Sequence, residues 1–281
     1  MTLPSNFQFS QGSLQDYDNC PRRFQLRYIE HLSWPALQVE PALENEHNMH
    51  LGASFHRMVH RYLLGVPEKD ITDSIKTNQH LNRWWNNFVS DNSIKKLLDS
   101  ISITRHPEIT LSAPIGNYRL VAKYDLILIE PGQRAIIFDW KSSSHQPKYA
   151  RMAIKYQTIV YPFVLSKAGN FLNNEKPLAP EQITMIYWYA NFPKEPFRYS
   201  QNASGIANHH AKLLAIIDEI QSLSDKIAPL TENEKLCQYC VYRSLCKRGV
   251  KAGTLDKFED MEESKSNDID IDFDQIAEIF Y

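Results

Sequence analysis

Residues 118–130 read YRLVAKYDLILIE and residues 134–141 read RAIIFDWK, and these two stretches decide the fold. Both are rich in aliphatic and aromatic side chains, a composition typical of β-strands. The Pro131-Gly132 pair between them is typical of a turn. The sequence therefore predicts two neighbouring strands of one hairpin near the middle of the chain.

Helical and strand patterns alternate on both sides of this hairpin, which is typical of α/β proteins. The other predicted elements are helices over 13–30 (two, around Cys20-Pro21), 49–64, 148–167 (with a kink at Pro162) and 204–227, strands over 108–114, 183–190 and 196–200, a loop over 33–48, and a helical insertion over about 65–104 with Trp84, Trp85 and Phe88 in its core. The apolar stripe of the last helix extends to Ile227. We therefore expect an α/β fold, with a mixed central sheet flanked by helices, in a single domain spanning residues 1–253.

The composition is that of an ordinary soluble protein. Of the 281 residues, 43% are hydrophobic and 23% are charged, and no apolar run approaches the roughly 20 residues of a membrane span. The opening residues, MTLPS, do not resemble a secretory signal, in which basic residues precede an apolar stretch. We therefore expect a cytoplasmic protein that has no membrane partner.

The net charge of −2 hides an uneven distribution of charge. Residues 254–281 contain ten acidic and two basic residues, so this segment carries −8 and the remaining chain carries +6. We expect the acidic segment to be a flexible tail, which is the usual behaviour of such runs. The weak positive charge of the body is compatible with a polyanionic partner but does not require one.

Three ionisable residues lie in the two decisive strands. Side chains alternate between the faces of a strand, so Asp139 and Lys141 share a face, and a hairpin can bring Asp125 beside Asp139. Two crowded carboxylates repel each other unless a cation lies between them. Magnesium, which binds one or two carboxylates together with substrate phosphates, would satisfy them. An Asp-x-Lys pair at a strand end also arises by chance, so the pattern alone does not indicate a function.

Two pairs of polar residues lie at helical spacing near these charges. His56 and His60 are one turn apart on the 49–64 helix, and Gln157 and Tyr161 are one turn apart after the Asp-x-Lys strand. Each pair has an ordinary interpretation as part of a surface or core helix face. Neither pair indicates a function by itself.

The four cysteines indicate a metal site. Cys237, Cys240 and Cys246 follow a Cys-x2-Cys-x5-Cys spacing, in which thiolates from a tight turn can meet one ion, and Cys20 provides a fourth sulfur. Disulfides are not expected in a reducing cytosol. Four cysteines accept either zinc or a 4Fe-4S cluster, and the spacing does not separate the two. The remaining alternative is four unrelated buried thiols.

The motifs in chain order are Cys20-Pro-Arg-Arg-Phe, Gly52-x-x-Phe-His56, Asp125, Asp139-Trp140-Lys141, Gln157-x-x-x-Tyr161 and Cys237-x2-Cys240-x5-Cys246. This order resembles the RecB-like branch of the PD-(D/E)xK nucleases from about residue 8 to residue 248. The resemblance is greatest to its iron–sulfur members, the AddB nuclease domain and the CRISPR-associated RecB-type exonucleases. Two positions depart from the family pattern: Ala122 stands where glycine is usual, and Pro162 directly follows the tyrosine of the Q-x-x-x-Y motif.

The resemblance implies a role for each motif residue. The implied ligands of a magnesium or manganese ion are His56, Asp125 and Asp139. Lys141 would position or help to deprotonate the attacking water, and Gln157 and Tyr161 would orient the active site or the DNA. Glu108 is a looser match to a further acid of the family.

The resemblance favours a 4Fe-4S cluster over zinc at the cysteines. The implied cluster ligands are Cys20, Cys237, Cys240 and Cys246. The cluster would join N- and C-terminal helical segments to a restriction-endonuclease-like core.

The resemblance implies a magnesium- or manganese-dependent deoxyribonuclease, an exonuclease on single-stranded DNA ends in DNA repair, recombination or CRISPR-type DNA processing. A helicase or a CRISPR adaptation protein would be its protein partner.

Two alternative functions remain. The chain could be a non-cleaving DNA-binding subunit of a helicase–nuclease or repair complex, or a structural protein whose cysteines hold zinc. The candidate DNA-binding residues are Arg22, Arg23, Lys148 and Arg151. For the two arginines near Cys20, ion pairs on a helix surface are the competing interpretation.

Overall fold

A computed structural model describes residues 3–34, 42–223 and 227–249, with the backbone alone for residues 42–46. The predicted acidic tail, residues 254–281, lies outside these ranges. None of the helices within them is both long enough and apolar enough to cross a membrane.

A mixed sheet forms the centre of the molecule, as predicted. In the described ranges its strands are β1 (Gln8–Ser10), β2 (Thr104–Ile115), β3 (Tyr118–Glu130), β4 (Arg134–Lys141), β5 (Ile183–Tyr189) and β6 (Phe192–Ser200). The order is β1-β3-β4-β5-β6, and β2 also pairs with β3. β1 runs parallel to β3 and β4 runs parallel to β5, whereas the other pairs are antiparallel. The predicted α/β class and the central hairpin are confirmed.

Helices cover both faces of the sheet. The α-helices that the structure describes are α1 (Gln11–Asn19), α2 (Pro21–Phe24), α3 (Ala42–Leu63), α4 (Glu68–Ser74), α5 (Gln79–Val89), α6 (Asn92–Leu98), α7 (Tyr149–Ile154), α8 (Tyr156–Ala168) and α9 (Ala203–Ser222). A π-helical turn, Gln25–Ile29, extends α2, and short 3-10 helices cover Asn170–Asn173, Pro180–Gln182 and Glu234–Tyr239. Pro21 occupies the first turn of α2, as predicted.

The alternation of side chains along β4 separates two hydrophobic cores. Ile137 packs with residues of α8 and α9 on one face, whereas Trp140 packs with residues of α3 and α5 on the other. The second core contains the predicted core residues Trp84, Trp85 and Phe88. Asp139 and Lys141 share the face of Ile137 and therefore lie on the α8 side of the sheet.

Some element boundaries differ from the prediction. α3 begins at Ala42, inside the predicted loop, because alanine, leucine and glutamate at its start are good helix formers. The predicted 148–167 helix is interrupted at Lys155 (φ −59°, ψ 143°), and Pro162 lies inside α8. α9 ends at Ser222, so the prediction that Ile227 continues its apolar stripe is wrong, and Ile227 is 82% exposed.

A buried carboxylate ties the N-terminal helices together. Asp16 in α1 pairs with Arg23 of α2, and its Oδ2 lies 3.2 Å from both Arg27 Nη1 and the Tyr28 hydroxyl. The side chains of Asp16 and Arg23 are each 10% exposed. Burial acts to lower the pKa of Arg23, but the charge and hydrogen bond of Asp16, together with the nearby Cys240 and Tyr28, outweigh it and the pKa is raised. Arg23 therefore stays charged and depends on Asp16 for its counter-charge.

We expect Asp16→Asn to destabilise the protein by about 3 kcal/mol, because it leaves the buried Arg23 charge without its partner. The matched control is Asp73→Asn, since Asp73 pairs with Lys76 on an exposed surface, and such pairs contribute about 0–1 kcal/mol. Urea unfolding measures the free energy of both variants. Equal losses in the two variants would contradict a special role of Asp16 in stability.

Candidate active site and cysteine pocket

The candidate active site lies where β3 and β4 part. Along one edge of β3, residues 119–121 pair with β1 and residues 126–130 pair with β4. Residues 122–125, between these two paired segments, have no strand partner on this edge among the residues that the structure describes. Asp125 is the last residue of this gap. Its Oδ2 accepts a hydrogen bond of 2.8 Å from the backbone N–H of Trp140, which ties the carboxylate to the end of β4.

His56 approaches the same carboxylate from α3. Its Nδ1 lies 3.1 Å from Asp125 Oδ1, and the two side chains are 16% and 18% exposed. The neighbouring Phe55 is fully buried in the core between α3 and the sheet, which fixes this part of the helix. The structure thus brings together the imidazole and the first aspartate of the predicted ligand set.

Asp139 is buried one strand away and is held by two partners. Gln157 of α8 donates a hydrogen bond to its Oδ1, and Lys141 Nζ lies 3.1 Å from its Oδ2. The side chain of Asp139 is 6% exposed and that of Lys141 is 12% exposed. The predicted Asp-x-Lys pair and the glutamine of the Q-x-x-x-Y motif therefore form one contact group.

The environment favours the charged form of Asp125. Burial alone would raise its pKa. The charge and hydrogen bond of His56, the Trp140 N–H and the Lys141 ammonium act in the opposite direction, and the pKa of Asp125 is lowered overall. Lys141 therefore acts electrostatically on Asp125 and also pairs with Asp139. The strand register, in which Leu126 pairs with Phe138, places the two aspartates at the same end of the β3–β4 pairing.

These residues fit a divalent cation by their chemistry. The His56 imidazole contacts Asp125, and Asp125 and Asp139 lie next to the last residue pair between β3 and β4. Hard oxygen donors suit magnesium and manganese. Within the residues that the structure describes, no three His, Cys, Asp or Glu side chains already surround a common metal position. Asp125 and Asp139 are instead engaged by Trp140 and Lys141, so the binding of an ion requires side-chain adjustment.

Other residues singled out in the sequence are placed by different contacts. Tyr161 is buried in α8, with its ring centre 4.8 Å from that of Tyr124, and its carbonyl accepts a hydrogen bond of 2.9 Å from the Tyr124 hydroxyl. Since Tyr124 precedes Asp125, Tyr161 supports the strand that carries this aspartate.

Glu108, the looser match to a further acid, lies in β2. Its φ is 50°, which is uncommon outside glycine, and its side chain pairs with Lys123 at 3.0 Å.

All four cysteines line one pocket. The pocket has a volume of about 360 Å³, including space open to solvent, and it lies between α2 and the C-terminal segment. The cysteines are free thiols. Burial, together with the neighbouring thiols, raises the pKa of Cys237 to about 11. The structure thus brings Cys20 to the three C-terminal cysteines, as the sequence predicted.

Positive charge surrounds this pocket. Arg23 and Arg243 line it together with the thiols. Arg243 is 5% exposed and donates a hydrogen bond of 3.0 Å to the carbonyl of Cys240. Two buried guanidinium groups suit an anionic centre, such as a metal held by four thiolates. Among the described residues no three thiols already surround a common metal position, so a metal would require the cysteine side chains to move toward it.

The four predicted DNA-binding residues divide into two groups. Arg22 contacts Glu30 at 2.9 Å, and Arg23 is buried against Asp16. These are the ion pairs of the competing interpretation, so we do not assign Arg22 and Arg23 to a DNA-binding surface. The other two residues lie after the Asp-x-Lys strand: Lys148 is exposed and Arg151 is half-buried in α7.

The sequence interpretation missed Asn191, which holds the chain just after Lys141. Its side-chain amide donates to the carbonyls of Ser142 (3.2 Å) and Ser143 (2.8 Å), and its side-chain oxygen accepts from Trp84 Nε1 at 2.8 Å. Asn191 follows β5 at the same edge as Lys141 because β4 and β5 are parallel. Its position directly after the predicted strand 183–190 could have identified it, because polar residues that follow parallel strands often line the functional site at that end of the sheet.

The fold of the chain is similar to solved structures. The crystal structure of a putative exonuclease from Eubacterium rectale aligns with 97% of this chain and 94% of its own, with a TM-score of 0.50 and 9% identity. At this identity the likeness concerns the fold alone. A second crystal structure, that of SSO0001, covers 70% of this chain and 84% of its own with a TM-score of 0.33 and 13% identity, which is too low to support an argument.

The sequence comparison identifies the family. No curated protein matches the chain significantly. The model of the PD-(D/E)XK nuclease superfamily, however, matches residues 8–247. This range includes the strands β1 to β6, the site residues on β3, β4 and α8, and the four cysteines. The chain therefore belongs to the PD-(D/E)XK nuclease superfamily.

Proposed function

We propose that this protein is a magnesium- or manganese-dependent deoxyribonuclease that acts as an exonuclease on single-stranded DNA ends. The observation that carries the proposal is the placement of Asp125 and Asp139 beside Leu126 and Phe138, the last pair between β3 and β4, with Asp125 bound to the Trp140 N–H and Asp139 paired with Lys141. Membership in a nuclease superfamily supports it, as does the fold likeness to a protein described as a putative exonuclease. The preference for single-stranded ends rests on the resemblance to the RecB-like branch.

The carboxylates and the imidazole are the proposed cation ligands, namely His56, Asp125 and Asp139. A divalent cation held by these residues would supply Lewis-acid chemistry, activating water and offsetting negative charge on the phosphate. The Trp140 N–H holds the Asp125 carboxylate at the strand end, and Gln157 holds that of Asp139. Both carboxylates are therefore oriented before a substrate arrives.

Lys141 provides positive charge beside the carboxylates. Hydrolysis adds one water across a P–O bond, so the water oxygen joins phosphorus and the departing oxygen gains a proton. The ammonium, a compact charge with three N–H donors, stabilises the negative charge that develops on the phosphate oxygens. The ion pair with Asp139 and the ring of Tyr187, whose centre is 5.8 Å from Nζ, hold the ammonium in place.

We propose that the four cysteines hold a 4Fe-4S cluster, with zinc as the alternative occupant. The cluster would act as a staple between the N-terminal helices and the C-terminal segment. Direct contacts already join these parts, since Arg22 N donates to the Pro229 carbonyl at 3.1 Å and Trp34 Nε1 donates to Ser244 Oγ at 2.8 Å. Iron and sulfide analysis of anaerobically purified protein tests the assignment, and one stoichiometric zinc without iron would overturn it.

The proposed cellular setting follows from the resemblance. We infer a cytoplasmic role in DNA repair, recombination or CRISPR-type DNA processing, with a helicase or a CRISPR adaptation protein as the partner. Lys148 and Arg151 are the proposed phosphate contacts, because they follow the active-site strand in the chain.

A cleavage assay tests the proposed activity. The anaerobically purified protein is incubated with end-labelled single- and double-stranded DNA in magnesium, manganese or EDTA. We expect progressive shortening of single strands with either metal and no cleavage in EDTA, because the carboxylates need a cation. DNA binding without cleavage under all conditions would favour the non-cleaving subunit instead. The absence of both binding and cleavage would favour a structural protein.

A further inference from the structure

An exposed aromatic residue lies on the same side of the sheet as the candidate active site. Tyr149, the first residue of α7, is 51% exposed. Its ring stacks on Tyr199, with the centres 4.5 Å apart and the planes 21° apart, and it meets Phe197 at 5.6 Å. Its hydroxyl donates to the Arg198 carbonyl at 2.8 Å. The ring is therefore held in a fixed position although about half of the residue is exposed to solvent.

Ring contacts connect Tyr149 to Lys141. The Lys141 Nζ lies 5.8 Å from the Tyr187 ring centre, which lies 6.0 Å from that of Tyr199, and Tyr149 follows at 4.5 Å. These three contacts limit the distance between Lys141 Nζ and the Tyr149 ring centre to about 16 Å. Asp139 pairs with Tyr187 and Tyr187 pairs with Phe197, so the ring contacts cross from β4 over β5 to β6, the strand that also carries Tyr199.

The chain around Tyr149 carries positive charge. Between residues 140 and 174 the sequence contains no aspartate or glutamate. Its basic residues are Lys141, Lys148, Arg151, Lys155 and Lys167. Lys148 is exposed directly beside Tyr149, and Glu195 is an exposed acid on the neighbouring β6. A rigid, exposed ring next to lysine and arginine is the combination that binds single-stranded nucleic acids, because the ring stacks on a base and the cations contact phosphates.

We propose that Tyr149 is a stacking platform for an unpaired base of single-stranded DNA, a few nucleotides from the phosphate that is cleaved. Lys148 contacts the backbone of the same nucleotide segment. This inference rests on the proposed nuclease function and adds a physical basis for its strand preference. A base inside a duplex is already stacked on both faces and cannot offer a face to Tyr149, so the surface selects unpaired DNA.

Binding of abasic oligonucleotides tests the stacking directly. The full-length protein with Lys141→Ala, which prevents cleavage, is titrated with labelled single strands that each lack one base at a successive position from the end. Every strand keeps all its phosphates. We expect a single position, or two adjacent ones, at which loss of the base weakens binding about tenfold. Equal affinity for all abasic strands would overturn the stacking role. This test needs no substitution of Tyr149, so a misfolded Tyr149 variant cannot affect its result.

Variants of Tyr149 assign the position to this ring. In the same background, Tyr149→Ala is expected to lose about tenfold in affinity for the complete strand and to respond equally to all abasic strands. Tyr149→Phe keeps the ring and should keep both the affinity and the positional response. A positional response that persists in Tyr149→Ala would overturn the assignment. If the unmodified protein neither binds nor cleaves DNA, the proposed function fails and this inference fails with it. If the unmodified protein cleaves DNA but the Lys141→Ala protein binds all abasic strands equally well, only this inference fails.

Discussion

Replacing Asp139 or Lys141 by alanine is expected to lower DNA cleavage at least about a thousandfold. Asp139 is 4% exposed and is the point at which Gln157 and Lys141 meet, so its loss removes a proposed cation ligand and releases both neighbours. Loss of Lys141 removes the charge that faces the phosphate. Single-turnover cleavage of single-stranded DNA with magnesium measures both effects.

The controls separate lost chemistry from lost folding. Asp139→Asn and Lys141→Gln retain most of the side-chain volume, so their circular dichroism should stay close to that of the unmodified protein while cleavage is still lost. Each breaks the buried pair of Asp139 and Lys141, so a lower Tm is expected, and cleavage is measured well below the Tm of each variant. Lys69→Ala removes an exposed lysine from α4 and should cleave normally. Magnesium-dependent cleavage at an undiminished rate in both Asp139→Asn and Lys141→Gln would remove these residues from the active site.

The second large effect is expected at the cysteine pocket, where Cys20→Ala should abolish metal retention and destabilise the N-terminal helices. Cys20 precedes Cys237 by 217 residues, so a metal held by both closes a very long loop. The chain-entropy argument gives about 5 kcal/mol for closing a loop of this length, which corresponds to a fall in Tm of about 10–20 °C. Metal analysis and thermal unfolding of the anaerobically purified variant measure both effects.

A neighbouring substitution serves as the control for Cys20→Ala. Val241 lies between Cys240 and Cys246 and is 42% exposed, so Val241→Ala should retain the metal and change Tm by only a few degrees. A Cys20→Ala variant with full metal content and unchanged Tm would show that Cys20 is not a ligand. The proposed staple would then have to be abandoned, while the active-site assignment would be unaffected.

Local pattern was sufficient to predict the central hairpin and the face on which its charges lie. β3 and β4 have the predicted bounds, and Asp139 and Lys141 share the face of Ile137, because alternation in a strand is a property of the backbone. The predicted proximity of Asp125 to the end of β4 also follows from the hairpin register. What local pattern could not predict is that the Trp140 N–H binds the Asp125 side chain, since this bond depends on where β3 leaves β4.

The unpredicted features depend on contacts between distant parts of the chain. Arg23 was predicted to contact DNA because its sequence neighbours are basic, but it forms a buried ion pair with Asp16 of the adjacent helix α1. Asn191 is far from Lys141 in sequence and meets the chain after it only because β4 and β5 are parallel neighbours. The interruption of the predicted long helix at Lys155 gives no proline or glycine signal of its own. Tertiary packing, and not local propensity, decides such positions.

Crystals grown with manganese test most directly whether the two aspartates share one cation. Anomalous scattering at the manganese edge locates the ion independently of any refined coordinates. The arrangement of Asp125, Asp139 and His56 predicts a peak about 2 Å from a carboxylate oxygen of each aspartate, with the His56 ring on the same ion. A manganese peak bound away from both aspartates, or no peak in protein that still cleaves DNA in the same buffer, would contradict it.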